Sequence, residues 1–100
     1  MGYGFLEKVY ENAMMIEFSK MQISSIQQSQ IDVVYEGEIV GQYFADIVVE
    51  NKVVLELKSI DSLQKVHEAQ LLNYLKATGY KLGLLVNFTH PKAEIKRFVM

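Results

Sequence analysis

Three charged residues have the types and spacing to do chemistry. Asp46, Glu56 and Lys58 lie in one β-rich stretch, Asp46-Ile47-Val48-Val49-Glu50-Asn51-Lys52-Val53-Val54-Leu55-Glu56-Leu57-Lys58. Two carboxylates and an ammonium among hydrophobic neighbours are costly to place inside a domain unless they pair or hold a cation. Carboxylate oxygens suit a hard ion, Mg²⁺ or Mn²⁺, which can orient a water and stabilise charge on a phosphodiester. Lys58 beside such an ion could orient or deprotonate that water, or stabilise the developing negative charge. The competing reading is a Glu56–Lys58 ion pair on an exposed strand face, because E-x-K is a common pattern.

Whether the three residues meet depends on the turn between the two runs. A three-residue turn, Glu50-Asn51-Lys52, sets Val49 against Val53 and Asp46 against Glu56. Period-two alternation then places Asp46, Val48, Val54, Glu56 and Lys58 on one face and Ile47, Val49, Val53, Leu55 and Leu57 on the other. A two-residue turn would put Glu56 on the face opposite Asp46. The segregation of charge from apolar residues favours the odd turn.

The surrounding elements follow from periodicity. From Phe5 to about Met21, Leu6, Val9, Ala13, Ile16 and Lys20 recur in steps of three and four, with Tyr10, Met14 and Phe18 widening the stripe, so an amphipathic helix is predicted with that stripe inward. Ile31, Val33 and Tyr35 alternate like a strand, and Glu36-Gly37 predicts a tight hairpin into a second strand, Glu38 to about Ala45. Leu63 to Thr78 returns to helical spacing and stops at Gly79. Leu82-Gly83-Leu84-Leu85-Val86-Asn87-Phe88 has the continuous apolar character of a strand covered on both faces. A last strand is predicted near Ala93 to Val99. The order is α-β-β-β-α-β-β.

Composition bounds the reading. The chain has 100 residues, half of them hydrophobic, with a single proline and no linker-like tract, so one folded domain spanning 1–100 is expected. No segment approaches the roughly 20 apolar residues of a membrane helix; no membrane association and a cytoplasmic location are the simplest expectations. There is no cysteine, which excludes disulfides and thiolate metal sites. The net charge of −2 conceals an asymmetry: residues 1–50 carry two Lys and eight Asp/Glu, and residues 51–100 carry eight Lys/Arg and four Asp/Glu. The basic half is either a phosphate-facing surface or an unevenly charged solvated one.

Further motifs bear on the choice. Gly4-Phe5-Leu6-Glu7-Lys8-Val9-Tyr10 has the form GxxExxY, and His67-Glu68-Ala69-Gln70-Leu71-Leu72-Asn73-Tyr74-Leu75 contains Q-x-x-x-Y. With Asp46 and Glu56-Leu57-Lys58, these make the chain resemble the GxxExxY protein family of the PD-(D/E)xK nuclease-like superfamily over essentially its whole length. The Gln70/Tyr74 pair resembles an element of RecB-like nucleases. The resemblance implies an α+β fold with a restriction-endonuclease-like αβββαβ core, a central mixed sheet flanked by helices. It also implies metal binding by Asp46, Glu56 and the Leu57 carbonyl, water activation by Lys58, and a contribution from Glu7 on the first helix. Members usually carry a further helical stretch ahead of the motif glycine, which this chain is expected to lack; the apolar surface left bare would favour self-association.

Independently, Glu7 and Tyr10 are neighbours on a helix by spacing, as are Gln70 and Tyr74. Glu7 could instead serve only the helix dipole, and Gln70 and Tyr74 only helix packing. His67 has no H-x-x-x-H partner and His90 precedes Pro91, so both are read as structural or surface residues. Met14 and Met15 are read as core filler. The resulting expectation is a Mg²⁺- or Mn²⁺-dependent nuclease acting on DNA or RNA, with Glu7, Asp46, Glu56, Lys58, Gln70 and Tyr74 at the site. Its rivals are an inactive module binding nucleic acid or a protein partner, and a self-associating structural module.

Overall fold

The computed structural model describes residues 3–88 and 93–100. Thus His90 and Pro91, and Lys92 of the basic second half, lie outside the described residues. Seven elements follow in the order α1 (Tyr3–Lys20), β1 (Ser25–Tyr35), β2 (Glu38–Val49), β3 (Val53–Lys58), α2 (Lys65–Thr78), β4 (Leu82–Phe88) and β5 (Ala93–Val99). The strands form one mixed sheet in the order β1-β2-β3-β4-β5. Neighbours are antiparallel except β3 and β4, which run parallel. A parallel pair needs a crossover, and α2 supplies it. The result is an α+β sheet flanked by two helices, as the periodicity and turns predict.

β1 is longer than the predicted strand. It begins at Ser25 rather than near Ile31, because Gln27, Ser29 and Gln30 of a polar run pair through their main chain with Ile47, Ala45 and Phe44 of β2, which needs no apolar side chains. The hairpin between β1 and β2 closes at Glu36-Gly37 with φ of 49° and 80°, the left-handed pair of a tight hairpin turn.

Two cores sandwich the sheet. On one face Val48, Val54 and Leu85 pack with Leu71 and Leu75 of α2. On the other Ile47, Leu55, Leu57 and Val86 pack with Met14, Met15 and Phe18 of α1. Gly83 of β4 lets α2 approach closely, since a Cβ there would stand 3.1 Å from a Leu75 methyl and 3.2 Å from both Leu71 methyls. Gly79 ends α2 with φ 83°, its N–H donating to the Leu75 carbonyl at 3.0 Å.

The inward face of α1 differs from the predicted stripe. Leu6, Val9 and Ile16 are 47%, 48% and 58% exposed, whereas the buried α1 residue among those described is the charged Glu11. Residues 7, 11, 14, 15 and 18 also recur at helical spacing, so periodicity alone could not choose between the two faces. The choice is made by Met14, Met15 and Phe18 meeting the sheet and by carboxylate contacts that the other rotation would forfeit. Both adjacent methionines reach this core. No helix among the described residues is long and apolar enough to cross a membrane.

Candidate active site

The register of β2 and β3 is set by their turn. Glu50 and Asn51 both adopt positive φ, 54° and 55°, and Lys52 N–H donates to the Val49 carbonyl at 2.9 Å. The ladder then runs Val49↔Val53, Val48↔Val54 and Ile47↔Leu55, which leaves Asp46 and Glu56 as the next pair in line. There the ladder ends, and the Asp46 side chain takes over: its Oδ2 accepts the Leu57 N–H at 2.8 Å.

Asp46 also marks a half-turn of the strand faces. Gln27 and Ile47, a cross-strand pair, lie on the α1 side, Ile47 packing with α1 and Gln27 bonding to Glu11. The pairs Ser29↔Ala45 and Ile31↔Tyr43 follow, yet Ile31, Ala45 and Tyr43 lie with the α2-side core. Between them Gln28 adopts φ 52°, a conformation that few residues other than glycine or asparagine enter readily. Strict alternation along β2, assumed in reading the sequence, therefore does not hold across Asp46. Its carboxyl sits where the faces exchange, near Glu11 of α1 and on the Leu57 N–H, rather than squarely on the Glu56 face.

Around Glu56 a cavity of about 140 Å³ opens, lined by Tyr43, Glu56, Lys58, His67, Gln70 and Tyr74, with Leu71 and Leu85 as apolar wall. Gln70 Nε2 donates to the Tyr74 hydroxyl at 3.3 Å. The Tyr74 ring stacks on Tyr43 with centroids 3.4 Å apart and planes 15° from parallel, and the Tyr43 hydroxyl donates to Glu56 Oε1. His67, at the cavity rim of α2, accepts the Gln64 N–H on Nδ1 at 3.1 Å and so caps its own helix.

The electrostatics are those of crowded acids. Burial pushes the Glu56 carboxyl up to about 8, and the negative charge of Asp46 adds to it; the Tyr43 hydroxyl, the Lys58 ammonium and the Asp46 N–H oppose the rise. Asp46 is also raised, chiefly by burial and then by the charge of Glu11, against the Leu57 N–H and Lys58. Burial pushes the Tyr43 phenol far above its usual value, with Glu56 adding to the effect, so Tyr43 is a hydrogen-bond donor and not a proton source.

On the α1 side, Glu7 Oε1 accepts the Ser59 N–H at 3.3 Å, one residue beyond Lys58. Glu11, one turn on, is 3% exposed. Lys8 donates to it at 2.9 Å, Gln28 at 2.8 Å, and Gln27 also donates to it. The structure thus brings Glu56, Lys58, Gln70 and Tyr74 to one cavity, sets Asp46 beside Glu56 along the strands, and sets Glu7 against the main chain that follows Lys58.

A family model of the PD-(D/E)XK nuclease superfamily matches residues 1–98. The chain belongs to that superfamily. Two solved structures share its fold. The crystal structure of SSO0001 matches 96% of this chain and 50% of its own, at 16% identity and a TM-score of 0.75. An alkaline exonuclease from Laribacter hongkongensis matches 92% of this chain and 55% of its own, at 13% identity and a TM-score of 0.58. The chain therefore spans about half the length of either structure. No curated protein matches it significantly.

PD-(D/E)XK nucleases generally use divalent metals, and the donor set here fits such an ion in chemistry. Asp46 and Glu56 offer hard oxygens; burial raises both carboxyls, with the charge of Glu11 adding at Asp46 and that of Asp46 adding at Glu56, a cost that a divalent cation would offset. Among the described residues no three His, Asp or Glu side chains group closely enough to hold a metal by themselves. A third protein ligand would have to be a main-chain carbonyl; the Leu57 N–H, for its part, is taken by Asp46.

Three residues of this region escaped sequence reasoning. Glu11 could have been found, because it follows Glu7 by one helical turn on the same face. Tyr43 carried no signal, since the face exchange at Asp46 is invisible to period-two counting. Asn87, fully buried, exchanges two 3.0 Å hydrogen bonds with the main chain of Ile60. Asn87 lies opposite Lys58 in the parallel ladder, so it pins the loop that leaves the lysine.

Proposed function

We propose that the chain is a Mg²⁺- or Mn²⁺-dependent nuclease of the GxxExxY kind, hydrolysing phosphodiester bonds of DNA or RNA. The observation that carries this reading is Glu56: a partly buried acid, raised by burial and by Asp46, beside Lys58 in an open cavity. Holding Glu56 against its burial and the charge of Asp46 brings no gain to the fold unless a cation is bound. Asp46, Glu56 and the Leu57 carbonyl would hold the metal, which supplies charge stabilisation at the scissile phosphate and an acidified water. Lys58 orients that water or meets the developing negative charge. Gln70 and Tyr74 form the cavity wall opposite Glu56, and Glu7 steadies the main chain beyond Lys58 through the Ser59 N–H.

Cleavage of labelled DNA and RNA, single- and double-stranded, with and without Mg²⁺ or Mn²⁺ and beside Lys58→Ala, tests the reading. Metal-dependent cleavage that Lys58→Ala loses supports it. A folded wild type that binds metal but cleaves nothing in a broad panel would favour an inactive module that binds nucleic acid or a protein partner. That alternative draws on the basic second half of the chain and expects binding to fall when Lys76, Lys81, Lys92, Lys96 and Arg97 are neutralised.

A further inference from the structure

Among the described residues no hydrogen bond joins Gln70 or Tyr74 to Glu56, although all three line one cavity. Tyr43 makes the connection. Its ring lies on Tyr74, 3.4 Å between centroids and 15° from parallel, while its hydroxyl reaches Glu56 Oε1. Tyr74 is in turn held by Gln70 at 3.3 Å. A glutamate side chain has three rotatable bonds, and an acid repelled by its neighbour gains by turning away from it. A donor on a rigid stacked ring opposes that rotation at little entropic cost, because the ring is already fixed by its partner.

We infer that Tyr43 is a positioning residue for Glu56: the Tyr43–Tyr74 stack fixes a hydroxyl that holds one Glu56 oxygen and keeps the carboxylate beside Asp46. This rests on the nuclease reading only in taking Glu56 as a metal ligand. The contact crosses from β2 to β3 beyond the point where their ladder ends, so side chains there do the work that main-chain pairing does elsewhere. Hydrogen-bonded partners of ligating carboxylates typically tune metal affinity by about 10- to 100-fold.

Tyr43→Phe tests the inference cleanly, because it keeps the ring and the stack and removes only the donor. Two measurements are made on the purified chain. Mn²⁺ affinity is read by calorimetry or paramagnetic resonance, and the urea midpoint is read without metal for wild type, Tyr43→Phe, Glu56→Ala, which leaves no side-chain acceptor, and the double variant. The expected results are an affinity weakened about 10-fold or more in Tyr43→Phe, cleavage that recovers toward wild type at excess Mn²⁺, and non-additive midpoints in the cycle. Wild-type Mn²⁺ affinity in Tyr43→Phe, or additive midpoints, would overturn the inference. A wild type that binds no Mn²⁺ would defeat the metal-nuclease reading, and the metal-free cycle would still decide whether Tyr43 holds Glu56.

Discussion

The two helices that flank the site are held in opposite ways. α2 buries Leu71 and Leu75 to 1% exposure each against a strand that a glycine has cleared for it. α1 leaves Leu6, Val9 and Ile16 largely exposed and fully buries a glutamate instead. The first helix is oriented by Glu7 on the Ser59 amide, by Glu11 on two consecutive glutamines, and by two methionines and a phenylalanine. A helix placed by its apolar stripe can be read from sequence, because burial area selects one rotation. A helix placed partly by carboxylates at a strand end cannot, because those partners lie 16 to 52 residues away.

The largest effect expected is on the chemistry that both helices frame. Lys58→Ala should lower metal-dependent cleavage by about 10²-fold or more while sparing much of the Mn²⁺ binding, or strengthening it by removing a nearby positive charge. Asp46→Asn or Glu56→Gln should lose binding and cleavage together. Parallel measurements of Mn²⁺ affinity and turnover separate the two outcomes. Cleavage undiminished in Lys58→Ala would place the active site elsewhere.

The helix comparison itself can be broken by stability measurements. Leu75→Ala should cost about 2–5 kcal/mol in urea unfolding, as a buried leucine with few ways to collapse the cavity. Leu6→Ala or Ile16→Ala should change stability by no more than about 0.5 kcal/mol. Equal losses in both helices would mean that the α1 stripe is covered in solution.

A smaller loss is expected at the strand that carries Lys58. Asn87→Ala should cost about 1–3 kcal/mol, because the Ile60 N–H and carbonyl lose their partner. The mobility of the loop after Lys58 should rise in hydrogen exchange at Ile60. Unchanged exchange there would remove Asn87 from the account.

Stability also depends on pH. The Glu56 carboxyl is higher in the folded protein, about 8, than its ordinary value of 4.5, so between those values the folded state holds a proton that the unfolded chain has lost. Metal-free stability is then fullest below about 4.5 and falls as pH rises toward 8, by at most about 1.4 kcal/mol per pH unit for one proton. Glu56→Gln should flatten that slope, and saturating Mn²⁺ should oppose it.

Much of this arrangement was legible in residues near one another along the chain. The element order followed from apolar periodicity and from turn residues such as Glu36-Gly37 and Gly79. The odd turn at Glu50-Asn51-Lys52 followed from the need to keep charges apart from Leu55 and Leu57, and it carried Asp46 and Glu56 to neighbouring positions. Gln70 and Tyr74 fell on one face because helical spacing is a local property. What tertiary structure alone decided was the rotation of α1, the exchange of strand faces at Gln28 and Asp46, and the arrival of Tyr43 at Glu56. Each depends on partners distant in sequence, where no periodicity connects donor to acceptor: a strained residue in β1 turns the side chains of β2, and a ring from β2 meets a helix and a strand that lie beyond it in the chain.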